Sequence, residues 1–142
     1  MNAAPRSASR NATIAIAVVA SGALVGIGLL RAFDPNAAGS WFPSCLFHDL
    51  TGLYCPGCGI TRALHALVHF DLRRALAMNA FFVLCLPLLA AMTLQGVTAR
   101  AWLPKAVRRV VFDGRWWIGA LLVFGLLRNL PGLEWLAPGG IS

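Results

Sequence analysis

The sequence predicts an all-α membrane protein with three transmembrane helices and one short amphipathic helix that is interfacial or re-entrant. The composition is 58% hydrophobic and 12% charged, with a mean hydropathy of +0.72, which lies outside the range of soluble proteins. Three long stretches carry almost no charge and are separated by polar or basic segments. We therefore expect a cytoplasmic tail at residues 1–10 and a single membrane domain at residues 11–142.

The first span is predicted at about residues 12–31. No charged residue occurs from position 12 to position 30, and Arg31 closes the stretch. A helix of this length rises about 30 Å, which matches the hydrocarbon core of a bilayer. The apolar region of a cleaved signal peptide is usually only ~7–15 residues long, so we expect an uncleaved anchor.

Residues 34–54 have the composition of a loop, because proline, glycine, asparagine and aspartate recur in them. Their aromatic and apolar side chains indicate a position in the membrane interface. These side chains are Trp41, Phe42, Leu46 and Phe47.

Residues 55–62 have the sequence C-P-G-C-G-I-T-R. We expect this segment to be either a functional site or the main packing contact of the fold. Proline and glycine at positions 56 and 57 favour a tight turn. Helical periodicity runs from Gly59 to about Phe70 and gives a helix of ~18 Å, too short to cross a bilayer. With the preceding loop, this helix forms a motif region at residues 41–70. One helix face carries Cys58, Thr61, Arg62, His65 and His69.

Two further spans follow the motif region. Asp71 fits the N-cap of a helix whose span we place at about residues 78–98, and Pro87 is expected to kink it. The third span is predicted at about residues 112–130, because Pro131 and the glycine after it stop a helix.

Basic residues set the predicted topology through the positive-inside rule. The connection between the second and third spans holds five, and the amino-terminal tail holds Arg6 and Arg10. Both segments should be cytoplasmic, so the cysteine motif and the carboxy terminus are expected on the outer side. The basic residues form no stripe interleaved with aromatics, so nucleic acid is not an expected partner. The five are Arg100, Lys105, Arg108, Arg109 and Arg115.

Four cysteines are present, and three of them cluster around the motif. Disulfides can persist in the oxidising space outside a cell membrane. We predict one disulfide between two of Cys45, Cys55 and Cys58, with Cys85 free and packed as a small apolar residue.

The motif resembles a family of small bacterial membrane proteins known as domain of unknown function 2752. The resemblance covers roughly residues 45–136 and implies a location in the bacterial cytoplasmic membrane, but it implies no activity. Where the family has Asn-Pro, this chain has Asn79-Ala80. The matching positions are Cys45, Gly52, Cys55, Pro56, Cys58, Gly59, Thr61, Arg62, Asp71, Asn79, Arg128, Asn129 and Pro131.

Four interpretations of the motif remain open from the sequence. The motif can be structural, with small residues at a close helix contact. Cys55 can be a redox nucleophile, with Cys58 as a resolving thiol whose pKa is lowered by the helix start and by Arg62. Thr61, Arg62 and Arg128 can form an anion or lipid-headgroup site. The fourth interpretation is a zinc site formed by Cys45, His48, Cys55 and Cys58.

We favour a non-enzymatic accessory, assembly or interaction subunit with a structural cysteine motif on the outer side. The alternative is a membrane thiol-redox or metal-handling protein that uses Cys55 and Cys58. The expected partners are the lipid bilayer and another membrane protein, and no cofactor is predicted apart from zinc as a candidate. We also predict that Arg128 and Asn129 dock against the turn within residues 55–62, because an arginine facing lipid at that depth costs up to ~3 kcal/mol.

Overall fold

The computed structural model describes residues 6–37, 39, 40, 42–98 and 103–140, with the side chains of 6–12, 97 and 98 outside that description. All regular structure in this part of the chain is helical, so the predicted all-α class is confirmed there. Trp41 and Arg100, which the predictions used, lie outside the described residues. The helices are α1 (Arg6–Ala32), α2 (Leu46–Thr51), α3 (Ile60–Val68), α4 (Leu72–Thr98), α5 (Lys105–Val111) and α6 (Gly114–Leu127), followed by a 3-10 helix at Glu134–Leu136.

Two of the described helices are long and apolar enough to cross a membrane. They provide the candidate spans Thr13–Ala32 and Leu72–Gly96. Helices α5 and α6 meet this criterion only as a pair, and they are bent by 63° where they join. The described chain therefore contains two candidate spans, or three if the bent pair forms one span.

The segment predicted as the third span, residues 112–130, contains α6, and α5 is a separate helix that precedes it. Asp113 lies between them in an extended conformation and accepts a hydrogen bond of 3.0 Å from the Arg115 backbone N–H. This is an N-cap, which begins α6 afresh instead of continuing α5. Helix α6 ends at Leu127, three residues before the predicted end.

Helix α4 begins as predicted, and it is interrupted at Asn79, before the kink that was predicted at Pro87. The Asp71 side chain caps the first turn through a hydrogen bond of 2.9 Å from the Arg74 N–H. Asn79 then leaves the helical conformation, with φ −159° and ψ 89°. Its side-chain oxygen accepts from the Phe82 N–H at 2.9 Å, so it acts as the N-cap of the helical segment that follows. The asparagine thus breaks α4 and also starts its second part.

The motif region contains two helices where the sequence predicted a loop and one helix. Helix α2 lies inside the predicted loop and ends at Gly52, which has the left-handed φ of 72° and donates to the His48 carbonyl at 2.8 Å. Helix α3 is close to the predicted amphipathic helix, although it ends two residues earlier. It buries Ala63 and Ala66 against α4, where small side chains allow a close helix contact.

His65 connects α3 to the end of α1. Its Nδ1 lies 2.7 Å from the Leu30 carbonyl oxygen, and its Nε2 lies 3.6 Å from Asp34 Oδ1. His69 packs against it with ring centroids 4.4 Å apart. Both histidines were predicted on the polar face of α3, and His65 uses that face to contact the first span.

Helix α6 and the carboxy-terminal tail close the bundle around the motif. A Cβ built on Gly125 of α6 would lie 2.9 Å from Pro56 Cγ, so the glycine allows the proline ring to contact the helix backbone. The tail is fixed by a hydrogen bond of 3.0 Å from the Gly139 N–H to the Ala77 carbonyl, just before the break in α4. The motif turn is therefore enclosed by α4, α6 and the tail.

The contact between Gly125 and Pro56 predicts a pair of substitutions with different outcomes. Gly125→Leu should lower the free energy of unfolding by about 1–3 kcal/mol, because the added side chain meets the proline ring. Gly119→Leu in the same helix has nothing within 4 Å of its added Cβ and should not lower stability. Both changes gain the same helix propensity, so thermal unfolding in detergent compares packing alone. Equal stability of the two variants would contradict the packing.

Candidate functional site: a thiol cluster held by a polar clamp

The motif turn, residues 54–59, is fixed by the side chain of Asn129 at the end of α6. The Asn129 Oδ1 accepts a hydrogen bond of 2.8 Å from the Tyr54 N–H, and its Nδ2 donates to the Tyr54 carbonyl at 2.8 Å. The same amide also donates to the Gly125 carbonyl at 2.7 Å. The predicted docking of Asn129 against the turn is confirmed.

Arg128 is the second side chain on the turn, and only 2% of it is exposed. Its Nη1 donates to the carbonyl oxygens of Cys55 at 2.9 Å and Cys58 at 3.1 Å. The guanidinium carbon lies 4.9 Å from the centroid of the Phe124 ring and 5.7 Å from that of Tyr54, which are cation–π distances. A residue in this position cannot be a lipid-facing anchor, and it cannot join Arg62 in an exposed anion site.

Asn79 reaches the turn from the break in α4 and is fully buried. Its Nδ2 donates to the carbonyls of Pro56 at 3.0 Å and Cys58 at 3.1 Å. Close approach is possible because Gly59 has a φ of +85° and packs on the Met78 carbonyl, where any Cβ would collide. We call Asn79, Arg128 and Asn129 the polar clamp; their side chains satisfy the inward carbonyls of the turn.

The three sulphur atoms of Cys45, Cys55 and Cys58 form a cluster at the turn. The Sγ of Cys55 lies 3.4 Å from that of Cys45 and 3.2 Å from that of Cys58, and all three lie within 4.8 Å of one another. A disulfide would need about 2.05 Å, and all four cysteines, including Cys85, are free thiols. The predicted disulfide is therefore not present, since the sulphurs meet as a group of three and not as a bonded pair.

The thiols of the cluster differ in pKa. The sequence predicted a lowered pKa for Cys58, and this prediction is wrong. Burial raises the pKa of Cys58 to about 12, and hydrogen bonds to the other two thiols act in the same direction. The cysteine precedes α3, which begins at Ile60, and Arg62 is exposed. The pKa of Cys45 is lowered, first by a hydrogen bond from the Cys58 thiol and then by the His48 backbone N–H. The more acidic thiol is therefore Cys45 and not Cys58.

The cluster lines a cavity of about 910 Å³ between the motif turn and the loop that precedes α2. Thr61 and Arg62 are exposed on its wall. His48, a predicted zinc ligand, also lines the cavity but is not grouped with the three sulphurs. Its ring stacks on Tyr54 with centroids 4.4 Å apart, and its Nδ1 lies 3.3 Å from the Leu53 carbonyl.

Of the remaining motif residues, Gly52 and Asp71 serve as helix caps and Pro131 is exposed in the turn after α6. Sequence reasoning missed the roles of Tyr54 and Gly125. The position of Tyr54, an aromatic residue directly before the motif, was a signal for its role. The sequence contains no signal that Gly125, a glycine in an apolar helix, would contact Pro56.

Residues 45–93 match the family described as Protein of unknown function (DUF2752). Over this segment the chain is similar to DUF2752. The resemblance predicted from the sequence is confirmed there, and the match contains the whole thiol cluster and Asn79. Arg128 and Asn129 lie beyond the DUF2752 match. No curated protein and no solved structure matches the chain.

Alkylation should distinguish the three thiols, because the thiolate is the nucleophile and burial limits access. A lowered pKa keeps Cys45 partly ionised at a pH where an ordinary thiol is protonated. Cys58, with a pKa of about 12 and 6% exposure, should remain protonated and unreactive. Labelling in the presence of a chelator, followed by peptide mass mapping, should find Cys45 modified early and Cys58 last across about pH 6–9. Modification of Cys58 before Cys45 would contradict this order.

Proposed function

We propose that this protein is a non-enzymatic membrane protein whose thiol cluster binds a thiophilic metal ion, with zinc as the first candidate. The observation that carries the proposal is the meeting of three unbonded cysteine sulphurs within 4.8 Å of one another on the wall of a cavity. Thiolates are preferred ligands of zinc. The two measured contacts of 3.2 and 3.4 Å are close to the ~3.8 Å between sulphurs of a tetrahedral zinc centre with 2.3 Å bonds. Small side-chain adjustments complete the fit.

The cluster supplies three ligands, and the cavity leaves a fourth position accessible to water or a small ligand. Closed structural zinc sites use four protein ligands, whereas exchangeable and catalytic sites keep one position open. Among the described residues, no imidazole or carboxylate joins the three sulphurs. A general base is therefore missing from this group, and reversible binding is the chemistry that the ligand set supports best.

Thiol–disulfide exchange is the second candidate function. The lowered pKa of Cys45 and its 3.4 Å contact with Cys55 favour it, with these two cysteines as the exchanging pair. Cys58, the resolving thiol in the sequence-based hypothesis, is the least suited of the three because it is buried and has a raised pKa. In this alternative the metal-binding test below gives no uptake.

We further propose an accessory role beside another membrane protein. In α1 the apolar window Thr13–Ala32 is 0% buried inside the structure, which leaves its surface for lipid and a neighbouring subunit. Purification in a mild detergent should recover the protein together with another membrane protein. Recovery without any membrane partner would contradict the accessory role.

Metal binding predicts a specific pattern among the four cysteines. The purified full chain should take up one equivalent of zinc by elemental analysis. Cys45→Ser, Cys55→Ser and Cys58→Ser should each lower the affinity strongly, because each removes one of three ligands. Cys85→Ser is the matched control and should bind like the wild type, since Cys85 lies in α4 outside the cluster. Loss of zinc binding in the Cys85 variant, or unchanged zinc binding in all four variants, would contradict the proposed metal site.

The proposed orientation places the thiol cluster on the outer side of the membrane. It is supported by the basic residues of α5, which include Lys105, Arg108 and Arg109 and lie at the opposite end of α6 from the motif. A topology reporter fused after Lys105 should report the cytoplasm, and one fused after Gly139 should report the outside. The reverse result would place the cluster in the reducing compartment.

A further inference from the structure

Arg128 is a buried cation with no acidic partner among the described residues. Its exposure is 2%, and its Nε and Nη2 have no hydrogen-bond partner. The side-chain ion pair found in the described part of the chain joins His65 to Asp34. The carbonyl oxygens that accept from its Nη1 orient the guanidinium but carry no net charge.

A buried guanidinium needs a compensating negative charge close by. The Nη1 of Arg128 donates to the backbone carbonyl oxygens of Cys55 and Cys58, so two residues of the thiol cluster are its direct neighbours. The compensating charge for this arginine can therefore come from the cluster, once its thiols are ionised by a bound metal ion.

We propose that the thiol cluster binds a divalent metal ion through three thiolates, and that Arg128 neutralises the net charge of −1 that this centre carries. The inference rests on the proposed metal binding and specifies its charge state. Each cysteine releases its proton to solvent and forms one metal–sulphur bond, so three thiolates and one divalent ion leave a single negative charge. One guanidinium balances it. Arg128 is thus a positioning residue that sets how many thiolates bind.

The thiolate count is the quantity that distinguishes this role from simple packing. Two thiolates already neutralise a divalent ion. With a neutral side chain at position 128, the third thiolate would be an uncompensated buried charge, and its cysteine would stay protonated and leave the metal. Replacing the positive charge should therefore change the centre from three bound thiolates to two.

Cobalt(II) is the probe, because its sulphur-to-metal charge-transfer absorption grows with the number of bound thiolates. The full chain in detergent is compared with Arg128→Gln, which keeps a hydrogen-bond donor without the charge, and with Arg128→Lys, which keeps the charge. Arg73→Gln removes an exposed arginine of α4 and is the matched control. The wild type, the lysine variant and the control should show three thiolates per cobalt. The glutamine variant should show two, with binding about 10- to 100-fold weaker.

A second measurement uses the wild type alone and stays decisive if a variant fails to fold. Zinc K-edge X-ray absorption of the zinc-bound chain should show three sulphur neighbours at about 2.3 Å. Two sulphur neighbours would overturn the inference, as would three thiolates in the glutamine variant or two in the lysine variant. In those cases metal binding itself stands. If the wild type takes up neither zinc nor cobalt, the proposed function fails and the inference fails with it.

Discussion

The hydrogen bonds from Arg128 to the carbonyl oxygens of the motif turn are the interaction on which the rest of the structure depends. A turn built from proline and glycine leaves its carbonyls without the partners that a helix would provide. In a membrane protein such groups survive only where protein satisfies them, because lipid cannot. The guanidinium satisfies the carbonyls of Cys55 and Cys58 from the end of α6. These hydrogen bonds join residues 70 and 73 positions apart in sequence.

The need to satisfy the same turn explains why α4 is broken. Asn79 donates to the carbonyls of Pro56 and Cys58, and it does so from a non-helical conformation. The break frees backbone groups that find partners of their own: the Phe82 N–H binds the Asn79 side chain, and the Ala77 carbonyl accepts from Gly139 in the tail. Contacts with this one turn thus account for the break in α4 and for the position of the tail at Gly139.

Polar residues made part of this arrangement predictable. Arg128 and Asn129 lie in an apolar environment, where the cost of exposure to lipid requires a protein partner, and the motif turn offered acceptors. The cap formed by Asp71 was predictable from local sequence, because aspartate is a preferred N-cap residue. The break at Asn79 was not predictable, because Pro87 is the stronger local helix breaker and the tertiary contact that favours position 79 is not visible in sequence. The raised pKa of Cys58 was also not predicted. It comes from burial of the thiol, which the spacing of the cysteines does not reveal.

The polar clamp also changes what the cysteines are needed for. Asn79, Arg128 and Asn129 satisfy the turn through its backbone, so no sulphur bond is required to hold it. The sulphurs contact mainly one another, with one hydrogen bond of 3.2 Å from the Cys55 N–H to Cys58 Sγ. Thiols form weak hydrogen bonds, and three of them together stabilise a fold very little. Their meeting beside a cavity and a buried cation therefore supports the proposed metal binding, since a divalent ion is a ligand that binds several thiolates at once.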